Sequence, residues 1–413
     1  MFVRFAEQNL LKALDDTPVV LIHGSRQCGK TTLAQMVGEK HQYHYLTFDD
    51  VNQLNAAKSD PVGFVDNLPE KTIIDEIQRA PEIFTSIKAS VDKNRKPGRF
   101  ILTGSANVLL LPKLSDSLAG RIEVIHLRPL SQAEIIGCQS SVIQNLFTRK
   151  TQLSAITTGY AKLGKGLIDL ITSGGYPSAL TRTTENRKMA WYRDFTNTLI
   201  QRDIQDIASI QNMSLLPKLL ALCASQTGRL FNVSDLASPF AISRPTIKEY
   251  VALLEQIFLV EQIQPWHNNR LSRLIKTPKM HLTDTGLACS LLNVKAKDLQ
   301  HDRNLFGQLL ETYIFQELQK YAGWQDSNCD IYHFRNKDKV EVDFILQDGQ
   351  FITGIEVKAS ATIQFADFKG IIKLRDAVGV SFVKGVVFYD GDAILSFGDR
   401  LFAVPYGAFL ARL

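Results

Sequence analysis

The segment Gly24-Ser25-Arg26-Gln27-Cys28-Gly29-Lys30-Thr31 fits G-x-x-x-x-G-K-T. It follows the apolar run VVLIH and precedes KTTLAQMVGEK, which has helical spacing. Strand, glycine-bounded loop and helix in this order form a cradle for phosphate, because the glycines let successive N–H groups turn inward toward an anion at the helix N-terminus. Lys30 adds a point charge for the β- and γ-phosphates, and Thr31 a hydroxyl for Mg²⁺. The expected nucleotide contacts are Gly24, Ser25, Arg26, Gln27, Cys28, Gly29, Lys30, Thr31 and Thr32. A helix N-terminus also favours a thiolate, so Cys28 is expected to react with alkylating agents and to be protected by bound nucleotide.

The flanking pattern extends this loop into a domain. Short apolar runs (VVLIHG, YHYLTFDD, TIIDEIQ, RFILTGS, RIEVIHLRPL) alternate with helical stretches, and this alternation implies a parallel sheet covered on both faces. TIIDEIQ is expected on a neighbouring strand about 45 residues after the loop, with Asp75 in the Mg²⁺ shell and Glu76 orienting or deprotonating water. RFILTGSAN ends in hydroxyl and amide residues, of which Ser105 or Asn107 would reach the γ-phosphate or the water. The Asp-Glu pair, the polar strand tip and LAGRIEVIHLRPLS together resemble the AAA+ ATPases. That resemblance implies an arginine supplied by a neighbouring subunit, hence a homo-oligomer, with Arg121 as the candidate. Pairing of Arg121 with a surface acid is the competing reading.

With 413 residues the chain has room for two or three domains at roughly 150 residues each. Its 47 basic and 42 acidic residues leave a net charge of +5, which permits nucleic acid without arguing for it. The five cysteines stand far apart with no C-x-x-C pair, which fits reduced thiols and makes a zinc site unlikely. No apolar run reaches the length of a membrane span, and Arg4, Glu7 and Lys12 interrupt the N-terminus where a signal peptide would be apolar. The expectation is a cytoplasmic protein.

Residues 143 to 214 read as a helical connector containing the turn SGGYP. Residues 215 to 300 read as a winged-helix-like segment: short helices, Ser243 capping RPTIKEYVALLEQIF, and strands flanking a loop. That loop carries Arg270, Arg273, Lys276 and Lys279, a candidate wing for DNA phosphates, although a solvated loop on a structural helix-turn-helix reads equally well. From 301 to 413 the pattern is an amphipathic helix and then strands DIYHFR, KVEVDFIL, FITGIEVKA and KGVVFYD. Alternation about the QDGQ turn puts Glu341 with Asp343, and Glu356 with Lys358, on common faces. Glu311 on the helix, Asp343, Glu356 and Lys358 resemble the PD-(D/E)XK restriction-endonuclease-like superfamily. The resemblance implies that Glu311, Asp343 and Glu356 hold Mg²⁺ and position water for phosphodiester cleavage.

The order GSRQCGKTTL, IIDEIQ, LTGSAN, SLAGRIEVIHLRPLS, SGGYP, PKMHLTDTGLA, EVDFIL, IEVKAS resembles predicted prokaryotic AAA+ superfamily ATPases with a C-terminal domain of unknown function over nearly the full length. The fold implied is α/β: a P-loop AAA+ parallel-sheet domain over 1–142, the connector, the winged-helix-like segment, and a restriction-endonuclease-like α/β domain. Cys28 stands where that family more often has a small aliphatic residue. The expected function is ATP binding and hydrolysis coupled to a Mg²⁺-dependent, DNA-directed nuclease-like domain. The alternative is a nucleotide-driven switch whose C-terminal domain binds nucleic acid or a partner without cutting.

Overall fold

The computed structural model describes residues 2–105, 120–138, 141–148, 157–207, 212–266, 277–324, 329–335 and 340–411. Strands β1 (Val19–His23), β2 (His44–Thr47), β3 (Thr72–Asp75), β4 (Phe100–Gly104) and β5 (Ile122–His126) form one parallel sheet in the order β2-β3-β4-β1-β5. Alternation divides β1 between two apolar layers. Val19 and Leu21 join Leu46, Ile74 and Leu102 on one face, whereas Val20 and Ile22 join Leu33, Ile73 and Ile101 on the other. The TIIDEIQ strand, expected beside the loop strand, is separated from it by β4. An apolar run buried on both faces does not encode which strand lies next to it.

Beyond this sheet the connector differs from expectation at its start. Its first part is a short helix, Val142–Phe147, and strand β6 (Thr157–Thr158), and only from Lys165 are its described residues mainly helical. The segment that follows has helices Leu216–Ser225, Val233–Ala237 and Arg244–Gln256. Its antiparallel sheet orders β7 (Arg229–Leu230), β9 (Lys279–Leu282) and β8 (Val260–Ile263) as β7-β9-β8. Ser243 caps its helix as expected, its Oγ accepting from the Thr246 amide at 3.3 Å.

The last section opens with the helix Arg303–Ala322. The antiparallel strands β10 (Asp330–Arg335), β11 (Glu341–Asp348) and β12 (Phe351–Val357) follow, then the helix Lys369–Val378 and strand β13 (Phe382–Tyr389), which runs parallel to β12. Strands β14 (Ala393–Ser396) and β15 (Leu401–Pro405), with β6, complete a seven-stranded sheet, β10-β11-β12-β13-β15-β14-β6. The connector therefore lends this sheet an edge strand. Its first helix also caps the sheet, since the Leu146 carbonyl accepts from Thr353 Oγ1 at 2.9 Å and the Asn145 carbonyl from Lys384 Nζ at 2.8 Å. One apolar core runs from Ala133 through the middle helices to Leu410, so the sections after the parallel sheet are packed as a unit. Among the described residues no helix is long and apolar enough to cross a membrane.

Candidate functional site

All three chemically marked strand ends, those of β1, β3 and β4, lie at the carboxyl edge of the parallel sheet, where open α/β sheets bind ligands. Gly24 is required by a close approach: a Cβ there would stand 2.1 Å from the Leu127 carbonyl oxygen. Gly29 has φ 102° and starts the helix Lys30–His41, a conformation costly for any residue with a Cβ. Lys30 is buried and folds its ammonium back onto the Gly24 and Ser25 carbonyls at 2.9 and 2.8 Å. This places Nζ within the loop that would surround a β-phosphate.

Thr31 Oγ1 donates to Asp75 at 3.0 and 3.1 Å, so the two expected Mg²⁺ ligands already touch. Tyr45 donates to the same carboxylate at 2.9 Å, and Thr103 on β4 makes a short hydrogen bond to it. Burial, with Asp75 beside it, pushes the Tyr45 phenol up to about 12 and keeps it a donor. Glu76 has φ 57° and ψ 43°, a left-handed conformation that non-glycine residues enter chiefly where surroundings hold them there. Its amide donates to Thr103 Oγ1 at 3.3 Å and its Oε2 accepts from Ser105 Oγ at 3.1 Å. Gln78 Nε2 also donates to Glu76 Oε2 and, at 2.9 Å, to Ser105 Oγ. Ser105 therefore contacts the acid directly, and Gln78, which sequence reasoning passed over, completes the clamp from two positions downstream. Asn107 lies outside the described residues.

A cavity of about 760 Å³ opens beside the loop, lined by Arg26 to Thr32 and Glu76, and on its far wall by Pro177, Phe195, Leu199 and Arg202. That wall belongs to the connector, whose helix Glu185–Ile207 also supplies Asp203, paired to Arg26 Nε at 2.7 and 2.9 Å. The SGGYP turn is fixed by the TDTG motif. Asp284 caps the helix Thr285–Leu292 through the Leu287 amide (2.9 Å) and accepts from the Gly175 amide at 2.7 Å. Arg4 is a second residue that sequence reasoning missed. It is 6 % exposed, and its guanidinium reaches the Cys28 carbonyl, the Arg128 carbonyl at 2.7 Å and Glu134 Oε1 at 2.9 Å. No spacing rule connects residue 4 to this loop.

One expectation for this domain needs correction, that of a reactive Cys28, and Arg121 has a defined partner within the chain. Arg121 precedes β5 at the amino edge of the sheet, a strand's length from the loop, and its Nε pairs with Asp92 at 2.7 Å. Within the chain it makes this surface pairing; the role toward a neighbouring subunit's nucleotide concerns a contact between chains. Cys28 is fully buried among apolar residues, its thiol donating to the Leu127 carbonyl at 3.2 Å. Helix-dipole reasoning does not give the direction of a side chain, and this one turns away from the anion site. Iodoacetamide treatment of the folded protein should leave Cys28 unmodified and ATP affinity unchanged, with labelling only after urea unfolding. Modification of Cys28 in the folded protein at the rate of an exposed thiol, read by mass spectrometry, would contradict this placement.

In the last section two of the expected charges, Glu311 and Asp343, meet at a lysine outside the expected set, and the other two, Glu356 and Lys358, pair with each other. Lys279 was expected in an exposed basic loop; it is 2 % exposed on β9. Its Nζ lies 2.7 Å from Glu311, 2.8 Å from Glu341 and 3.6 Å from Asp343. Burial opposes its charge, but the three carboxylates outweigh that cost and raise its pKa. Lys358 pairs with Glu356 at 2.8 Å, and Asp343 Oδ2 accepts from the Val357 amide at 2.9 Å. Burial, then the Asp343 charge, pushes Glu356 up to about 8. Of the three carboxylates expected to hold Mg²⁺, Glu311 and Asp343 face the Lys279 ammonium together with Glu341, and Glu356 is paired with Lys358. Among the described residues no three His, Cys, Asp or Glu side chains form a metal-holding group. Arg270, Arg273 and Lys276 lie outside the described residues.

Comparison with known proteins finds three matched segments. Residues 16–136 match the AAA domain family, and the N-terminal sheet is an AAA-type P-loop ATPase domain. Residues 164–298 and 306–409 match two domains of unknown function, DUF8612 and DUF4143. The chain is 27% identical over 405 residues to the uncharacterized protein Rv2008c of Mycobacterium tuberculosis, covering 97% of this chain and 83% of that one. It is 24% identical over 345 residues to the uncharacterized protein MJ1544 of Methanocaldococcus jannaschii, covering 79% and 72%. Among solved structures it overlays on a Walker-type ATPase of Pyrococcus abyssi with 15% identity and a TM-score of 0.43, covering 70% of this chain and 96% of that one.

Proposed function

We propose that the chain binds and hydrolyses ATP at the carboxyl edge of its parallel sheet and uses the nucleotide to set the connector against the loop. The observation that carries this reading is the contact of Thr31 with Asp75 beside a Glu76 held by Ser105 and Gln78. Thr31 and Asp75 would hold Mg²⁺, which supplies charge neutralisation at the β- and γ-phosphates. Lys30 exchanges two carbonyl partners for phosphate oxygens. Glu76 accepts a proton from, or orients, the attacking water, and its clamp aims the carboxylate before substrate arrives. Phosphate on the loop competes with Asp203 for Arg26, so occupancy is felt by the connector helix. The test is ATP binding and phosphate release by the wild type and Lys30→Ala. Binding should be lost in the variant, and equal affinity in both would overturn the reading.

For the rest of the chain, a nucleotide-driven switch that does not cut is the better-supported reading. The order helix, three antiparallel strands, helix, parallel strand supports a restriction-endonuclease-like domain. The order of helices and strands over 216–282 supports a winged-helix segment. Lys279 at the centre of the acids supports a domain without hydrolytic metal. Plasmid incubated with the protein and Mg²⁺, with and without ATP, should remain intact. Cleavage that Asp343→Ala abolishes would restore the nuclease.

A further inference from the structure

Another cavity, of about 220 Å³, lies where the parallel sheet meets the middle segment, and it shares no lining residue with the nucleotide cavity. The end of β5 and the turn after it, His126 to Pro129, line it together with Ser25 of the phosphate loop. Facing them are Glu255, at the end of the helix Arg244–Gln256, and Phe258 and Gln262 beyond it. Arg128 joins the two sides through hydrogen bonds of 2.7 and 2.9 Å to Glu261, which also accepts from Gln319 at 3.2 Å. The charges of Arg128 and Glu261 are therefore spent on each other.

Glu255 is different. Among the described residues no cation pairs with it, and burial pushes its carboxyl up to about 7, with the Gln262 side chain opposing the rise and the Glu261 charge adding to it. An independent feature borders the same space. The Ser25 hydroxyl is 2 % exposed and has no hydrogen-bond partner, a state that costs free energy until a ligand or water supplies one. The Phe258 ring, also in the lining, stands 5.0 Å from the His126 ring, and its carbonyl is held by Thr283 Oγ1 at 2.6 Å. An uncompensated carboxylate, an open hydroxyl and a fixed aromatic ring together suit a planar cation that forks onto the acid, donates to the hydroxyl and stacks on the ring.

We propose that this cavity binds a small guanidinium ligand, a guanidine on a short aliphatic chain, with Glu255 as its counter-charge, Ser25 Oγ as a second acceptor and Phe258 as its stacking surface. A guanidinium serves these three groups at once, whereas an ammonium offers neither the fork nor a flat face. The volume holds roughly seven water-sized groups at about 30 Å³ each, which matches a guanidine with a three-carbon chain and leaves no room for a peptide backbone. Arg128 does not fill the role from within the chain, because Glu261 holds both arms of its fork. Ser25 belongs to the phosphate loop, so the ligand would touch that loop from outside the nucleotide cavity. The proposal does not rest on ATP hydrolysis, since binding is read without nucleotide.

The probe is propylguanidinium chloride, titrated calorimetrically into the full-length protein without nucleotide at concentrations far below those that denature proteins. Propylurea, of nearly the same shape but uncharged, is the control. The wild type should bind one propylguanidinium per chain and no propylurea. Glu255→Gln, which keeps the side chain's size and removes its charge, should weaken binding by about tenfold or more. If circular dichroism shows that Glu255→Gln does not fold, Glu255→Asp is used, whose shorter carboxylate is drawn back from the ligand. A wild type that binds no propylguanidinium would overturn the proposal. So would a folded Glu255 variant with wild-type affinity, or propylurea binding as tightly as the cation.

Discussion

ATP turnover should fall by about 10²–10⁴-fold in Glu76→Gln, the range spanned by loss of a positioned general base. The ATP affinity of this variant should stay close to that of the wild type, since Lys30, Thr31 and Asp75 are untouched. The substitution keeps the size of the side chain and its contact with Ser105, and removes only the carboxylate's ability to accept a proton or strongly orient water. Steady-state phosphate release, paired with a fluorescent-nucleotide titration, separates the two quantities. Unchanged turnover would take Glu76 out of the chemistry. A loss of affinity in step with turnover would instead make its role one of shaping the loop.

Arg4→Ala should destabilise the chain by about 3–5 kcal/mol, the usual result of removing one partner of a buried ion pair. Glu134 would remain with a fully buried side chain. It would still accept from the Phe5 amide at 3.0 Å and the Ser131 amide at 3.0 Å, but without a cation. The same change frees the Cys28 carbonyl and the backbone after β5, both of which the guanidinium holds. Weaker ATP binding should therefore accompany the lower stability. Arg4→Lys should recover little of either, because one ammonium cannot span the three acceptors. The urea midpoint and the nucleotide titration measure the two effects. A midpoint within error of the wild type would mean that the Glu134 carboxylate is satisfied by backbone donors alone.

Local order was legible in the residues. The loop declares itself because phosphate binding demands glycine at positions with forbidden angles or no room for a Cβ, a lysine and a hydroxyl at fixed steps, and a strand and helix on either side. Asp75 and Glu76 are legible for the same reason, as two acids ending an apolar strand. In the last section the period-two pattern around QDGQ marks a hairpin, and β11 and β12 pair through it. Each of these features is set by neighbours within about a dozen positions.

What only the tertiary structure decided lies across longer separations. Arg4 meets a loop more than twenty residues on and a glutamate 130 positions away. The insertion of β4 between β1 and β3, and the use of β6 as an edge of the last sheet, depend on which chain segments reach each other. Apolar runs encode burial, and partners are chosen by packing. Lys279 is the sharpest case. In sequence it continues a run of basic residues and reads as solvated, yet a strand alternates its faces, and this face lands against three carboxylates from other elements. Sequence supplied the charges and their spacing. Their meaning, a lysine at the centre in place of a metal, came from long-range packing, because electrostatic interaction falls with distance in space and takes no account of separation along the chain.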